Sequence, residues 1–137
     1  MEDLLAEIVY WGRSLATIRG IVLVGSHARG TARPDSDVDV LCIAVNPDAF
    51  RGDGWIPQIR WPANYGTVAG WKDREYGAVW SRHLRLASGL EVELSFGPPS
   101  WTDVKPIDPG TREVMLDGHR ILYDPDNLLS NLSDALK

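Results

Sequence analysis

Residues 24–41 read Val-Gly-Ser-His-Ala-Arg-Gly-Thr-Ala-Arg-Pro-Asp-Ser-Asp-Val-Asp-Val-Leu, and this stretch decides the fold that we expect. The apolar run 21–24 ends at Gly25, as a buried strand does where it enters a turn. Residues 26–29 then resemble the first turn of a short helix. Such a junction exposes backbone N–H groups and the Ser26 hydroxyl, which together can hold a phosphate.

Two aspartates begin the next predicted strand, over residues 37–43. Asp37 and Asp39 alternate with valines, so both carboxylates lie on one face of the strand. Carboxylates this close repel one another unless a cation lies between them. Mg²⁺ is often bound by one or two carboxylates together with substrate phosphates. The plainer interpretation, a polar turn before a strand, loses weight because a Gly-Ser turn precedes it.

A third carboxylate is offered by a predicted β-hairpin whose three-residue loop is 87–89. The tightest register places Arg85 opposite Glu91 and His83 opposite Glu93. Glu91 is then most simply a cross-strand ion pair with Arg85. Glu93, deeper in the strand, is the preferred third carboxylate, and Glu91 stays open as the alternative.

The remaining elements follow from periodicity and from Pro, Gly and capping residues. We expect a helix over 2–19, a largely irregular connection over 47–77 with a short helix near 55–60, a helical turn over 111–116, an edge strand over 119–123, and a terminal helix capped by Asp126 or Asn127. In the connection, Trp55, Trp61 and Trp71 either stack on a nucleotide base or pack the segment onto the sheet, and packing is the preferred interpretation.

Composition excludes several classes of protein. The 137 residues carry a net charge of −5 at pH 7. Proteins that bind DNA or RNA of any sequence need a basic face, so nucleic acid is not an expected partner. No apolar run approaches a membrane span and the N-terminus lacks a basic signal-peptide start, so no membrane contact and a cytoplasmic location are expected. The one cysteine, Cys42, is expected to be a buried small hydrophobe.

The Gly-Ser turn and the Asp-x-Asp strand together resemble the nucleotidyltransferase superfamily typified by DNA polymerase β. The resemblance is closest to its small bacterial branch, which includes aminoglycoside nucleotidyltransferases and minimal nucleotidyltransferases. Gly25, Ser26, Asp37 and Asp39 carry it; it is specific over residues 21–43 and extends more weakly to residue 96. It implies an α/β (α+β) nucleotidyltransferase fold, a mixed β-sheet with helices packed on one side, formed by a single domain over 1–137.

The resemblance also implies the roles of individual residues. Catalysis and metal binding fall to Asp37, Asp39 and Glu93, and nucleotide binding to Gly25, Ser26, Arg29 and Ser36. The carboxylates would hold Mg²⁺ against the triphosphate, with ATP the simplest donor, and Glu93 would accept the proton of the attacking hydroxyl. Arg29 is equally well interpreted as a solvated helix residue.

Three functional hypotheses follow. In the first, the chain transfers a nucleoside monophosphate, AMP from ATP, to a hydroxyl of a small-molecule acceptor such as an aminoglycoside-like compound. In the second, it is an antitoxin that binds or adenylylates a partner helical toxin. In the third, it binds a nucleotide without turnover. The larger antibiotic-modifying enzymes continue into a helical domain, so a homodimer or a partner protein is expected to complete the site.

Overall fold

Strand β2 (Val38–Ala44) runs through the middle of a six-stranded sheet and sets the position of the two aspartates. The computed structural model describes every residue from 1 to 137. The other strands are β1 (Ile18–Val24), β3 (Val68–Tyr76), β4 (Val79–Leu86), β5 (Glu91–Gly97) and β6 (His119–Tyr123), and the helices are α1 (Glu2–Arg13), α2 (Ser26–Arg29), α3 (Pro109–Leu116) and α4 (Leu128–Ala135). Short 3-10 turns lie at Pro47–Phe50, Ile56–Gln58 and Pro99–Thr102. None of the helices has the length and apolar character needed to cross a membrane.

The sheet is mixed, in the order β3-β4-β5-β2-β1-β6. β2 and β5 pair in parallel, whereas every other neighbouring pair is antiparallel. The predicted mixed sheet and α/β fold class are therefore confirmed. The edge position predicted for β6 is also correct, since it pairs with β1 alone.

One face of the sheet is covered by α1 and by the segment that follows β2. The apolar stripe of α1, which includes Leu4 and Ile8, is fully buried in a core of 21 residues. Burying each such side chain contributes about 1.5–3 kcal/mol. The helix ends at Arg13 rather than near residue 19, because Ile18 already pairs with Ala44 in the sheet.

The opposite face is partly covered by α3 and α4. Met115 of α3 and Leu129 of α4 pack in a second cluster with Val22 and Ile43. Helices therefore lie on both faces of the sheet, whereas one-sided packing was expected. The reason is that β1 and β2 are apolar on both faces at this end, so each face has to be covered. Toward β4 and β3 this second face is left free of helices.

The β4–β5 hairpin has the predicted register. The amide of Leu86 donates to the carbonyl of Leu90 at 2.8 Å, and the pairing continues from there down both strands. His83 lies opposite Glu93 and Arg85 lies opposite Glu91.

Strand β3 was not predicted, since it lies within the connection expected to be irregular. Its central residues Lys72, Asp73, Arg74 and Glu75 are all exposed, so neither face carries the apolar alternation by which a strand is identified. The strand forms because its backbone pairs with β4 along the free edge of the sheet. Within the same connection, Trp55 and Trp61 pack against the core, as preferred, whereas Trp71 is 47% exposed.

Helix α4 is capped by a different residue from the two predicted. The carboxylate of Asp124 accepts hydrogen bonds from the amides of Leu129 and Ser130. Asp126 is engaged by Arg19, and Asn127 has a left-handed backbone (φ 59°) without a side-chain cap. Cys42 is fully buried as expected, and burial raises the pKa of its thiol to about 12.

Arg82 ties the segment after β2 to the sheet. Its guanidinium donates to both carboxylate oxygens of Asp73 and to the carbonyls of Arg51 and Gly52, although the side chain is only 2% exposed. It also lies 5.6 Å from the ring centroid of the buried Trp55. All three nitrogens of this buried guanidinium therefore donate to an acceptor, and aromatic contact adds to these bonds.

Substitution Arg82→Met should lower the free energy of unfolding by about 2–4 kcal/mol, since it removes these bonds while Asp73 keeps access to water. Urea denaturation followed by tryptophan fluorescence measures the change. Arg85→Met on the same strand is the control, because Arg85 is exposed and should cost less than about 0.5 kcal/mol. Equal losses in the two variants would show that the Arg82 bonds do not stabilise the fold.

Candidate functional site

Acidic side chains from two neighbouring strands meet on the second face of the sheet, in the part that α3 and α4 leave uncovered. The parallel register places Asp39 of β2 directly opposite Glu93 of β5. Asp37 lies two residues before Asp39, and Glu91 lies two residues before Glu93. Side chains two residues apart in an extended chain point to the same face, so Asp37 and Glu91 share the face of Asp39 and Glu93. The pairing therefore brings four carboxylates together.

His83 of β4 joins this group from the next strand. Its Nε2 lies 3.7 Å from Oδ2 of Asp37 and 3.5 Å from Oε1 of Glu91. Ligand atoms of Asp37, His83 and Glu91 all lie within 4.8 Å of one another, which is close enough for a shared metal ion. The predicted Arg85–Glu91 ion pair is wrong, although the register is right, because the Glu91 carboxylate turns toward His83 instead of toward Arg85.

The predicted set of Asp37, Asp39 and Glu93 is thus brought together, with Glu91 and His83 beside it. Sequence reasoning preferred an ion-pair role for Glu91, with a place as third carboxylate only as the alternative, and treated His83 only as a neighbour of Glu93. The hairpin register already placed both on the face of Glu93, and this was the signal that could have identified them.

The carboxylates strain one another electrostatically. Burial, followed by the charges of Glu93 and Asp37, raises the pKa of Asp39 to about 7, and His83 offsets only part of this effect. Burial also raises the pKa of Asp37, which is lowered by His83 and raised further by Glu91. A cation between these groups would relieve both the repulsion and the lost hydration, and hard carboxylate oxygens are the ligands that Mg²⁺ prefers.

Gly25 allows the β1–α2 turn to approach the carboxylates. Its backbone angles, φ 76° and ψ −156°, lie in a region that is essentially restricted to glycine. A Cβ placed on Gly25 would stand 2.5 Å from Oδ2 of Asp39. The turn and the strand that carries Asp39 are therefore in contact only because this position has no side chain.

The structure places the other predicted nucleotide-binding residues around this turn. Ser26 is half-buried at the first position of α2. The hydroxyl of Ser36 accepts a hydrogen bond from the amide of Arg33 at 2.8 Å, so this side chain shapes the loop between α2 and β2. Arg29 forms an ion pair with Asp117, which directs its guanidinium toward the end of α3. Their part in nucleotide binding stays a prediction.

Two cavities flank the carboxylates. One of about 680 Å³ lies between the sheet and α3, and its lining includes Gly25, Asp39, Glu93 and Trp101. The other, of about 540 Å³, lies on β3 and β4 beside Glu91. Both volumes are in the range of small-ligand sites.

Substitution Gly25→Ala should weaken Mg²⁺ binding by about tenfold or more, because the added methyl group displaces the Asp39 carboxylate. Calorimetric titration with MgCl₂ measures the affinity. Gly30→Ala is the matched control, since Gly30 also has a positive φ of 75° but no atom within 4 Å of the added Cβ. The control should lose about 1–2 kcal/mol of stability and keep its Mg²⁺ affinity. A Gly25→Ala variant with unchanged affinity would contradict the contact.

Asp39→Asn should raise the melting temperature of the metal-free protein at pH 8 and should do so much less at pH 5. The pKa of Asp39 is about 7 in the folded protein and near 3.8 in the unfolded chain. The unfolded chain therefore loses this proton first, and the free energy of unfolding falls as the pH rises from 3.8 to about 7. Calorimetric melting in EDTA tests this. The exposed Asp103→Asn serves as the control for net charge. Equal gains in both variants, or a gain larger at pH 5, would refute the electrostatic strain at Asp39.

Comparison with known proteins supports a common origin for the turn and the acidic strands. The family model described as a nucleotidyltransferase domain matches residues 7–98. No curated protein matches the sequence. A solved aminoglycoside 6-adenyltransferase from Bacillus subtilis is similar to this chain, with a TM-score of 0.52 and 14% sequence identity. The alignment covers 70% of this chain and 34% of the adenyltransferase, so the chain spans about a third of that protein's length. A solved toxin-antitoxin with AMP-PNP has a TM-score of 0.52 at 13% identity, over 96% of this chain and 82% of its own.

Proposed function

The chain belongs to the nucleotidyltransferase domain family, and on this premise we propose that it transfers a nucleoside monophosphate, AMP from ATP in the simplest case, to a hydroxyl group of an acceptor. The observation that carries the proposal is the convergence of Asp37, Asp39 and Glu93 beside the Gly25 turn. A binding module without turnover would have no use for carboxylates that raise one another's pKa values.

The acidic residues fit a divalent cation. Asp37, Asp39 and Glu93 would hold Mg²⁺. The cluster of Asp37, His83 and Glu91 offers a second set of metal ligands on the same face of the sheet. When bound, the ion would stabilise negative charge on the transferring phosphoryl group and on the leaving oxygen. The raised pKa of Asp39 means that this affinity should fall as the pH drops below about 7.

The chain's own residues would orient the reactants. Ser26 and the amides of the turn would hold the terminal phosphates, so that the α-phosphate lies over Asp37 and Asp39. Glu93 would take the proton of the acceptor hydroxyl. The hydroxyl oxygen would bond to the α-phosphorus, the bond from that phosphorus to the bridging oxygen would break, and pyrophosphate would leave with the electron pair.

A second candidate function has a specific observation in its favour. The toxin-antitoxin structure with AMP-PNP aligns with 96% of this chain and 82% of its own, whereas the aminoglycoside 6-adenyltransferase aligns over only 34% of its own length. Under this alternative the acceptor hydroxyl belongs to a partner protein, a helical toxin, and the chain acts as its antitoxin.

Glu93→Gln should lower the transfer rate by about 10²–10⁴-fold, the usual contribution of a general base, and Glu91→Gln should lower it by much less. The assay incubates the protein with Mg²⁺ and α-labelled nucleotides, with small hydroxyl compounds in one arm and helical partner proteins in the other. The arm that gains label separates the two candidate functions. A larger loss in Glu91→Gln would make Glu91 the third carboxylate.

The double variant Asp37→Asn/Asp39→Asn is the control for the metal site, and it should abolish transfer. Label transfer that survives this double substitution would overturn the assignment of the two aspartates. Absence of MgATP binding to the unaltered protein at millimolar concentration would overturn both candidate functions.

A further inference from the structure

Strand β3 separates its charges by face. Lys72 and Arg74 lie opposite His83 and Ser81 of β4, on the face that carries the acidic site. Asp73 and Glu75 lie on the other face. The two faces of this edge strand therefore differ in the sign of their charge.

The two carboxylates of β3 are neutralised by arginines on their own face. Asp73 accepts from Arg82 at 2.8 Å, and Glu75 accepts from Arg51 at 2.8 and 2.9 Å. These ion pairs attach the strand to the rest of the fold, so this face has a structural role.

The cations on the site face have no such partner. Lys72, Arg74 and Arg85 form no ion pair with any carboxylate within 4.0 Å, whereas Arg51 and Arg82, which bind the carboxylates on the other face of β3, do. Acidic residues outnumber basic ones by 19 to 14, so ion-pair partners are abundant in this chain. Other cations of the chain are unpaired as well, but Lys72, Arg74 and Arg85 differ from them because all three line one cavity beside the acidic site.

These three cations line one groove. The cavity of about 540 Å³ is bounded by Gly70, Trp71, Lys72, Arg74, His83, Arg85 and Glu91. The Arg85 guanidinium reaches over Gly70 of β3, since it lies 3.6 Å from the position that a Cβ on Gly70 would take. At its inner end the groove reaches His83 and Glu91, and His83 lies 3.7 Å from Asp37. The groove thus opens directly onto the carboxylates.

The position of the groove indicates which reactant it receives. In an in-line displacement the attacking hydroxyl and the leaving pyrophosphate lie on opposite sides of the α-phosphorus. The Gly25–Ser26 turn, which is proposed to hold the leaving phosphates, lies on the β1 side of Asp39. The acceptor would then enter from the β5 and β4 side, where the groove begins.

We propose that Lys72, Arg74 and Arg85 bind a phosphate group on the acceptor, which is therefore a small hydroxyl compound that carries a phosphate. This inference rests on the proposed function. Guanidinium groups suit phosphate because their planar fork can donate two hydrogen bonds at once, and the lysine adds a third charge. A polycationic aminoglycoside would be repelled by the same surface, so the groove disfavours the aminoglycoside-like acceptor expected from the sequence.

The test is an NMR titration of the ¹⁵N-labelled chain with inorganic phosphate. Mg²⁺ and a saturating ATP analogue with a methylene bridge between the α- and β-phosphates are present, so that the nucleotide site is already filled. Phosphate should shift the amides of residues 70–74 and of Arg85. The triple substitution Lys72→Gln/Arg74→Gln/Arg85→Gln should weaken phosphate binding by about tenfold or more.

A matched triple variant controls for net charge. Arg13→Gln/Lys105→Gln/Arg112→Gln removes the same three charges from residues that form no ion pair and do not line the groove. Phosphate affinity should be unchanged in this control. Equal weakening in both triple variants would overturn the proposal, since the effect would then be one of total charge.

The titration also distinguishes the acceptor from the nucleotide as the source of the phosphate. If the ATP analogue displaces phosphate from residues 70–74, the groove holds the triphosphate and the proposal is wrong. Absence of any phosphate shift at these residues overturns it as well. Failure of the analogue itself to bind would instead contradict the proposed function, while phosphate binding measured without the analogue still reports on the groove.

Discussion

The parallel pairing of β2 with β5 is the constraint on which the site depends. It forces Asp39 and Glu93 to face one another, although burial and mutual repulsion raise the pKa of Asp39 to about 7. The same two strands have fully apolar residues on their other face, where Val40 and Leu94 are almost completely buried. Apolar packing on one face thus holds carboxylates together on the other, and a cation between them would relieve their repulsion.

Features that depend on local sequence periodicity could be predicted. The alternation in residues 37–43 placed Asp37 and Asp39 on one face, and the short loop at 87–89 fixed the register that puts His83 opposite Glu93. Both signals involve residues that are close along the chain, so backbone geometry alone determines the outcome. The fold class followed from the resemblance that Gly25, Ser26, Asp37 and Asp39 carry.

Features that depend on the choice between several possible partners could not be predicted. β3 is a strand because it pairs with β4, not because its own residues alternate in hydrophobicity. Likewise, Asp124 caps α4 while Asp126 is held by Arg19 from a distant strand. Glu91 lies 3.5 Å from His83 and forms no ion pair with Arg85, although the register sets Arg85 opposite Glu91. In each case the outcome depends on a tertiary contact or on a side-chain hydrogen bond that hydrophobic periodicity does not encode.

The free face of the sheet is divided by charge across its strands. β2 and β5 contribute carboxylates, and β3 and β4 contribute Lys72, Arg74 and Arg85. The carboxylates lie on central strands whose opposite face forms the core, so their positions are fixed by the same packing that stabilises the fold. The side chains of β3 on this face are exposed and contribute little to stability, so their charge can change without disturbing the acidic site. Under the function that we propose, selectivity for the acceptor would therefore vary on β3 while the chemistry at Asp37 and Asp39 stays the same.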